Sequence, residues 1–218
     1  VHWVRPFGWL PGGGALARRG LSAAIGAGAG IHPKMAGLLE YGGSWAGAYL
    51  LRRSVYMPWE LDDLLDPALL REGMRRLAPL GLIGGELSEG GPLGDFDRVA
   101  TLETTLYMRN QLLRDADWAG MAHSVEIRVP YVDPFFLAAL PPGEALATAN
   151  AKEAVADIPQ PPLPPASRNR SKTGFSTPVG RWLSEASGAP TTAIDLSAAS
   201  RAWALRVWQA GWTGPAAV

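Results

Sequence analysis

Residues 117–133 read DWAGMAHSVEIRVPYVD, and the course of the chain through them sets the architecture. The apolar period expected of a helix stops near His123 and Ser124. Pro130 then forces Val129 out of helical geometry, so a helix turns a corner here and continues as something else. Three acids and one base crowd the corner: Asp117, Glu126, Arg128 and Asp133. The planar fork of Arg128 can take two carboxylate oxygens at once. Either Asp117–Arg128 or Glu126–Arg128 would make a buried ion pair that fixes the corner beside an apolar core. His123, at a helix end, is read as capping carbonyls rather than moving protons. The other histidines lie far away in sequence, so no metal site is expected.

Upstream, a long helix is expected from about Asp95 to Ala122, with a break midway left open. Leu102, Leu106, Leu113 and Asp117 recur at intervals of four and seven and so share one face. Asp117 would then sit on an apolar stripe, where an unpaired carboxylate is costly. Gly81–Gly94 reads as a glycine-rich loop. Before it come short helices: one near Ala15–Ile25, another over Lys34–Tyr41, one capped by Ser44 and running to about Val55. A further helix starts at Asp66-Pro67, where proline at the first helical position loses no needed donor. Downstream, Ile158–Pro165 is a proline-rich connector that cannot be helical. Pro178 opens a short helix carrying Trp182 and Leu183, and a last helix spans Ser197–Ala210 with Gly211 placed to stop it. No internal repeat and no convincing run of alternating strands is found. The fold is read as mainly α.

The 218 residues carry 20 basic and 20 acidic side chains and no cysteine. Zero net charge gives no electrostatic reason to expect nucleic acid or an anionic membrane as partner. Without cysteine, disulfides, thiolate metal sites and cysteine nucleophiles are excluded within this chain. No stretch approaches the roughly 20 apolar residues of a membrane span, and residues 21–31 lack the order of a signal peptide. A soluble cytoplasmic protein is the default expectation.

A second basic cluster follows the proline connector: Arg168, Arg170 and Lys172, then Gly174 and Phe175. Cations on a loop closed by a glycine suit a phosphate or pyrophosphate group, although exposed basic loops are also commonly just solvated.

Two stretches together resemble the glutamine-dependent asparagine synthetase family. That family carries a segment like DRxSMAHGLEVRVPFLD, matched here by DWAGMAHSVEIRVPYVD, and then RPKxGFxxP, matched by RSKTGFSTP from Arg170 to Pro178. Trp118 and Ser171 replace the family's arginine and proline. The resemblance implies a fold: the helical C-terminal part of an adenine nucleotide alpha-hydrolase-like (ATP pyrophosphatase) α/β domain whose phosphate-loop sheet is missing here. It implies residues 1–186 as a partial synthetase domain and 187–218 as a C-terminal helical extension. It also implies an ATP-dependent amide ligase that activates aspartate as an acyl-adenylate and amidates it with ammonia from glutamine.

On that resemblance Lys172 is the catalytic cation, lying against adenylate and departing pyrophosphate with Arg170 and Gly174. Asp117, Glu126, Arg128 and Asp133 support the substrate pocket. ATP and Mg2+ would be held mainly by residues outside this sequence. Aspartate, ATP, ammonia and the glutaminase domain of the same polypeptide are the implied partners, with no nucleic acid and no membrane. No SGGxDS phosphate loop and no segment like GADELFGGY is present, and the glycine runs at 12–14 and 90–91 lack the serine and aspartate. The chain begins at Val1 within a basic, aromatic stretch, so an excerpt of a longer polypeptide is expected, with those elements upstream. A β-lactam-forming or peptide-cyclising relative is an alternative, and so, from another class, is a non-catalytic helical scaffold.

Overall fold

A computed structural model describes residues 14–26, 33–88, 94–139, 156–171, 178, 181, 182, 185 and 196–212. Among these no β-strand forms, and the chain is mainly helical. It divides into two compact units, residues 1–163 and 164–218, meeting inside the proline-rich connector. The boundary expected at 186/187 lies outside the described residues.

In the first unit, α1 spans Gly14–Gly26, and a 3-10 turn over Pro33–Gly37 leads into α2, Leu38–Tyr41. α3 covers Trp45–Arg53. Its start follows from Ser44, whose hydroxyl accepts the Gly47 N–H at 3.0 Å, satisfying a donor the first turn leaves open. α4 covers Pro67–Leu77, capped by Asp66, whose carboxylate accepts from Ala68 and Leu69 N–H at 2.9 and 3.0 Å.

The expected loop over Gly81–Gly94 is corrected in part. Residues up to 88 belong to α5, Pro79–Ser88, and 89–93 lie outside the described residues. Glycines inside a helix cost conformational entropy, but Ile83 drops into the core and Leu87 packs beside it. Tertiary burial outweighs local preference here.

α6, Asp95–Leu102, continues without interruption into an eleven-residue π-helix, Glu103–Leu113, and then α7, Arg114–Met121. The long helix therefore forms, and its middle is wound more widely rather than broken. π turns carry more residues than α turns, so the stripe read at α spacing drifts around the axis. Leu102 is wholly buried and Leu106 packs against the core, yet Asp117, expected on that stripe, is exposed.

The core of this unit joins Tyr49 of α3, Ile83 of α5 and Leu102 at the end of α6, with Ala46, Leu50, Leu87 and Leu106 around them. α3 also grips the α-to-π junction through polar groups. The Tyr49 hydroxyl donates to the Leu102 carbonyl at 2.9 Å. Arg53 makes a two-pronged ion pair with Glu103 and its guanidinium lies 3.7 Å from the centre of the Tyr107 ring. Thr104 and Thr105 donate their hydroxyls to the Ala100 and Thr101 carbonyls, each at 2.8 Å. Carbonyls displaced from the regular ladder thus find donors nearby.

In the second unit, α9 is the short helix Pro165–Arg168 and α10 is Leu196–Trp212, with α8 assigned to Pro134–Ala138 of the first unit. α10 runs through Gly211, which therefore does not stop it. Trp182 N–H donates to the Pro178 carbonyl at 3.1 Å, the turn expected there; Leu183 lies outside the described residues. No helix of the described residues is long and apolar enough to cross a membrane.

Candidate functional site

The corner after α7 is built by a helix-terminating turn. Ser124 N–H donates to the Met121 carbonyl at 3.0 Å and Val125 N–H to the Gly120 carbonyl at 2.9 Å, the paired bonds of a Schellman motif. This geometry places Ser124 in the left-handed region, φ 57, a conformation that costs a residue with a Cβ. The family segment quoted above carries glycine at this position. Gly120 permits a close approach in this chain, where a Cβ would stand 2.6 Å from the Val125 carbonyl oxygen. His123 N–H donates to the Gly120 carbonyl at 2.9 Å, so the main chain rather than the imidazole is what the turn uses.

Beyond the turn, residues 125–129 follow a non-helical course. Glu126 and Arg128, alternate residues, pair at 3.1 and 3.3 Å. Of the two pairings expected for Arg128, this one forms. It is not buried: the side chains are 82% and 70% exposed for Arg128 and Glu126. Water screens such a pair, and its net contribution is about 0–1 kcal/mol. Asp117 has no ion-pair partner among the described residues; the wide π winding has turned it to solvent, where it needs none. Trp118, in the place of the family's arginine, lies under the Arg114 guanidinium at 4.9 Å.

A 3-10 turn, Pro130–Val132, carries the chain to Asp133. The Asp133 carboxylate accepts from Phe135 and Phe136 N–H at 2.8 and 3.3 Å, capping α8. Glu126, Arg128 and Asp133 are thereby brought to one open groove of about 600 Å³, which Ile127, Val129, Pro130 and Val132 complete. Asp117 does not line it.

In the second unit, Arg170 follows α9 on an exposed stretch. It has no ion-pair partner among the described residues, so its five donors are available to an anion. Lys172 and Gly174 lie outside the described residues. Among the described residues no group of three His, Asp or Glu side chains is placed to hold a metal ion.

The clasp of Tyr49 and Arg53 on the root of the corner-bearing helix was not expected from sequence. Its one signal is the spacing of the two residues, four apart on α3, which puts both on one face. Burial first, and the negative Glu103 next, push the Tyr49 phenol above its ordinary pKa, with Arg53 opposing.

Comparison with known proteins agrees with the motifs. The asparagine synthase family is matched over residues 9–203. A putative asparagine synthetase [glutamine-hydrolyzing] of Mycobacterium bovis (strain ATCC BAA-935 / AF2122/97) is 33% identical over 89 residues, 39% of this chain and 14% of the relative. Asparagine synthetase [glutamine-hydrolyzing] 1 of Bacillus subtilis (strain 168) is 32% identical over 105 residues, 44% of this chain and 16% of the relative. The chain thus spans about a seventh of the length of the curated relatives it matches. No solved structure gives a significant match. With the family matched across most of its length, the chain belongs to the asparagine synthase family.

Proposed function

We propose that this chain is the helical part of an ATP-dependent amide ligase that forms asparagine. In this reading ATP activates the side-chain carboxylate of aspartate as an acyl-adenylate, and ammonia released from glutamine then displaces AMP. The observation that carries it is the order of two motifs, the 117–133 corner and the 170–178 basic segment, inside one continuous family match. The fold around it is the adenine nucleotide alpha-hydrolase-like α/β domain, with its phosphate-loop sheet, the glutaminase domain and most contacts to ATP and Mg2+ outside this chain. Residues 1–186 belong to the synthetase domain and 187–218 extend it.

Lys172 and Arg170 neutralise negative charge growing on the departing pyrophosphate, held in place before the reaction begins. Lysine serves as a point charge and arginine as a fork for two oxygens. Arg170, exposed and without an ion-pair partner among the described residues, fits that task. Gly174 lets the backbone approach the phosphates closely. Glu126, Arg128 and Asp133 shape the corner that supports the aspartate pocket, and Asp117 stands at its helical entrance.

The complete gene product, supplied with aspartate, glutamine and ATP with Mg2+, is expected to release pyrophosphate only when aspartate is present and to accumulate asparagine. Lys172→Ala should depress aspartate-dependent ATP–pyrophosphate exchange and leave glutamine hydrolysis intact. Pyrophosphate release that ignores aspartate would overturn the reading. Equal exchange rates in Lys172→Ala would remove that lysine from the mechanism.

A further inference from the structure

The surface beyond α7 is unusually apolar for one facing water. Nine large apolar side chains between Trp118 and Leu137 stand more than 40% exposed, with Trp118 at 63%, Tyr131 at 62% and Phe135 at 87%. Scattered exposed apolar groups are ordinary, but so many within one short stretch of chain favour an interface. Within it, residues 125–129 read V-E-I-R-V. Val125, Ile127 and Val129 alternate with Glu126 and Arg128, the period of a half-buried strand. The alternation is physical as well, since the two charged side chains reach each other on one side. Among the described residues, the backbone N–H groups of Glu126, Ile127, Arg128 and Val129 have no hydrogen-bond partner. A non-helical run of open backbone donors can serve as a template for strand pairing.

We propose that residues 125–129 form an edge strand that adds to a β-sheet in the part of the ligase outside this chain. The proposal rests on the ligase reading above, which supplies the sheet, and on the chain spanning only 14–16% of its relatives' lengths. In that pairing Val125, Ile127 and Val129 take the covering layer, while the Glu126–Arg128 pair neutralises itself on the alternate side and stays beside the groove it lines. Pro130, which has no N–H to give, ends the pairing.

The test is amide hydrogen exchange, read by mass spectrometry over residues 122–133, in the complete gene product and in the isolated 218-residue chain. Exchange in the α3 segment reports that both samples are folded. Amides of residues 126–129 should exchange at least roughly ten-fold more slowly in the complete product, because pairing must open before they react. Equally fast exchange in both would overturn the proposal. Protection in the isolated chain that grows with concentration, together with elution as a dimer, would also overturn it by naming a second copy as the occupant. Strand protection without aspartate-dependent pyrophosphate release would leave the strand standing and sink the ligase reading alone.

Discussion

The hydroxyl of Tyr49 donates to the main-chain carbonyl of Leu102 at 2.9 Å, across 53 residues of sequence. It reaches the helix where α winding gives way to π winding. One side chain thus ties the core helix α3 to the root of the helix that carries the candidate corner.

Tyr49→Phe keeps the ring in the core and removes only this bond. Stability should fall by about 1 kcal/mol, since the carbonyl loses its side-chain donor. Urea unfolding of the two proteins measures it. The phenol also sets a pH dependence. Its folded pKa is raised, so the folded state holds the proton more tightly than the unfolded one. Its contribution is complete below the ordinary tyrosine range near pH 10 and is lost as pH rises through the folded value. Tyr41, also raised by burial first and Glu40 next, adds to the same alkaline loss. Melting temperature should therefore drop less steeply above pH 10 in Tyr49→Phe, though not become flat.

Arg53 and Glu103 have side chains 32% and 30% exposed. Arg53→Ala should cost more than Glu103→Ala, because it also removes the cation over the Tyr107 ring. A double-mutant cycle should give a coupling of no more than about 1 kcal/mol for so solvated a pair, shrinking in high salt. Equal single-mutant costs would contradict the ring contact.

At the turn after α7 two substitutions should move stability in opposite directions. Ser124→Gly relieves a left-handed residue and should stabilise by roughly 0.5 kcal/mol, after glycine's own entropy is set against the strain. Gly120→Ala drives a Cβ against a fixed carbonyl and should cost about 1–3 kcal/mol. Thermal unfolding of both variants decides it.

Asp133→Ala removes the cap of α8 and should cost about 1 kcal/mol, felt locally. Exchange of the Phe135 and Phe136 amides should accelerate, while Asp133→Asn, which keeps an acceptor, should hold them near the parent rate.

What the sequence made legible was chemistry acting over a few residues. Ser44 and Asp66-Pro67 mark helix starts because a side-chain oxygen and a missing N–H act within one turn, and both starts lie where they were read. Pro130 likewise marks the corner. Distant packing was not legible. Residues 81–85 contain three of the helix-weakening glycines, and the burial of Ile83 in the cluster with Tyr49 and Leu102 supports the helix there. The stripe ending at Asp117 assumed one period throughout; the π winding changed the period, and with it the side on which Asp117 emerges. The VEIRV alternation was present in the letters, but five residues are too few to distinguish a strand from a loop. Of the candidate phosphate-binding residues, Arg170 is described and is exposed; Lys172 and Gly174 rest on the motif alone.

The wide winding of residues 103–113 also bears on how this helix tolerates changes of length. A π-helix spends more residues per turn than an α-helix, so it holds slack. Losing one amino acid there would let the segment tighten toward ordinary winding, with the anchors at Tyr49 and at the Gly120 turn keeping their places. The same loss within α3, where every turn is already tight, would swing Arg53 away from Glu103 and undo the grip from the other side.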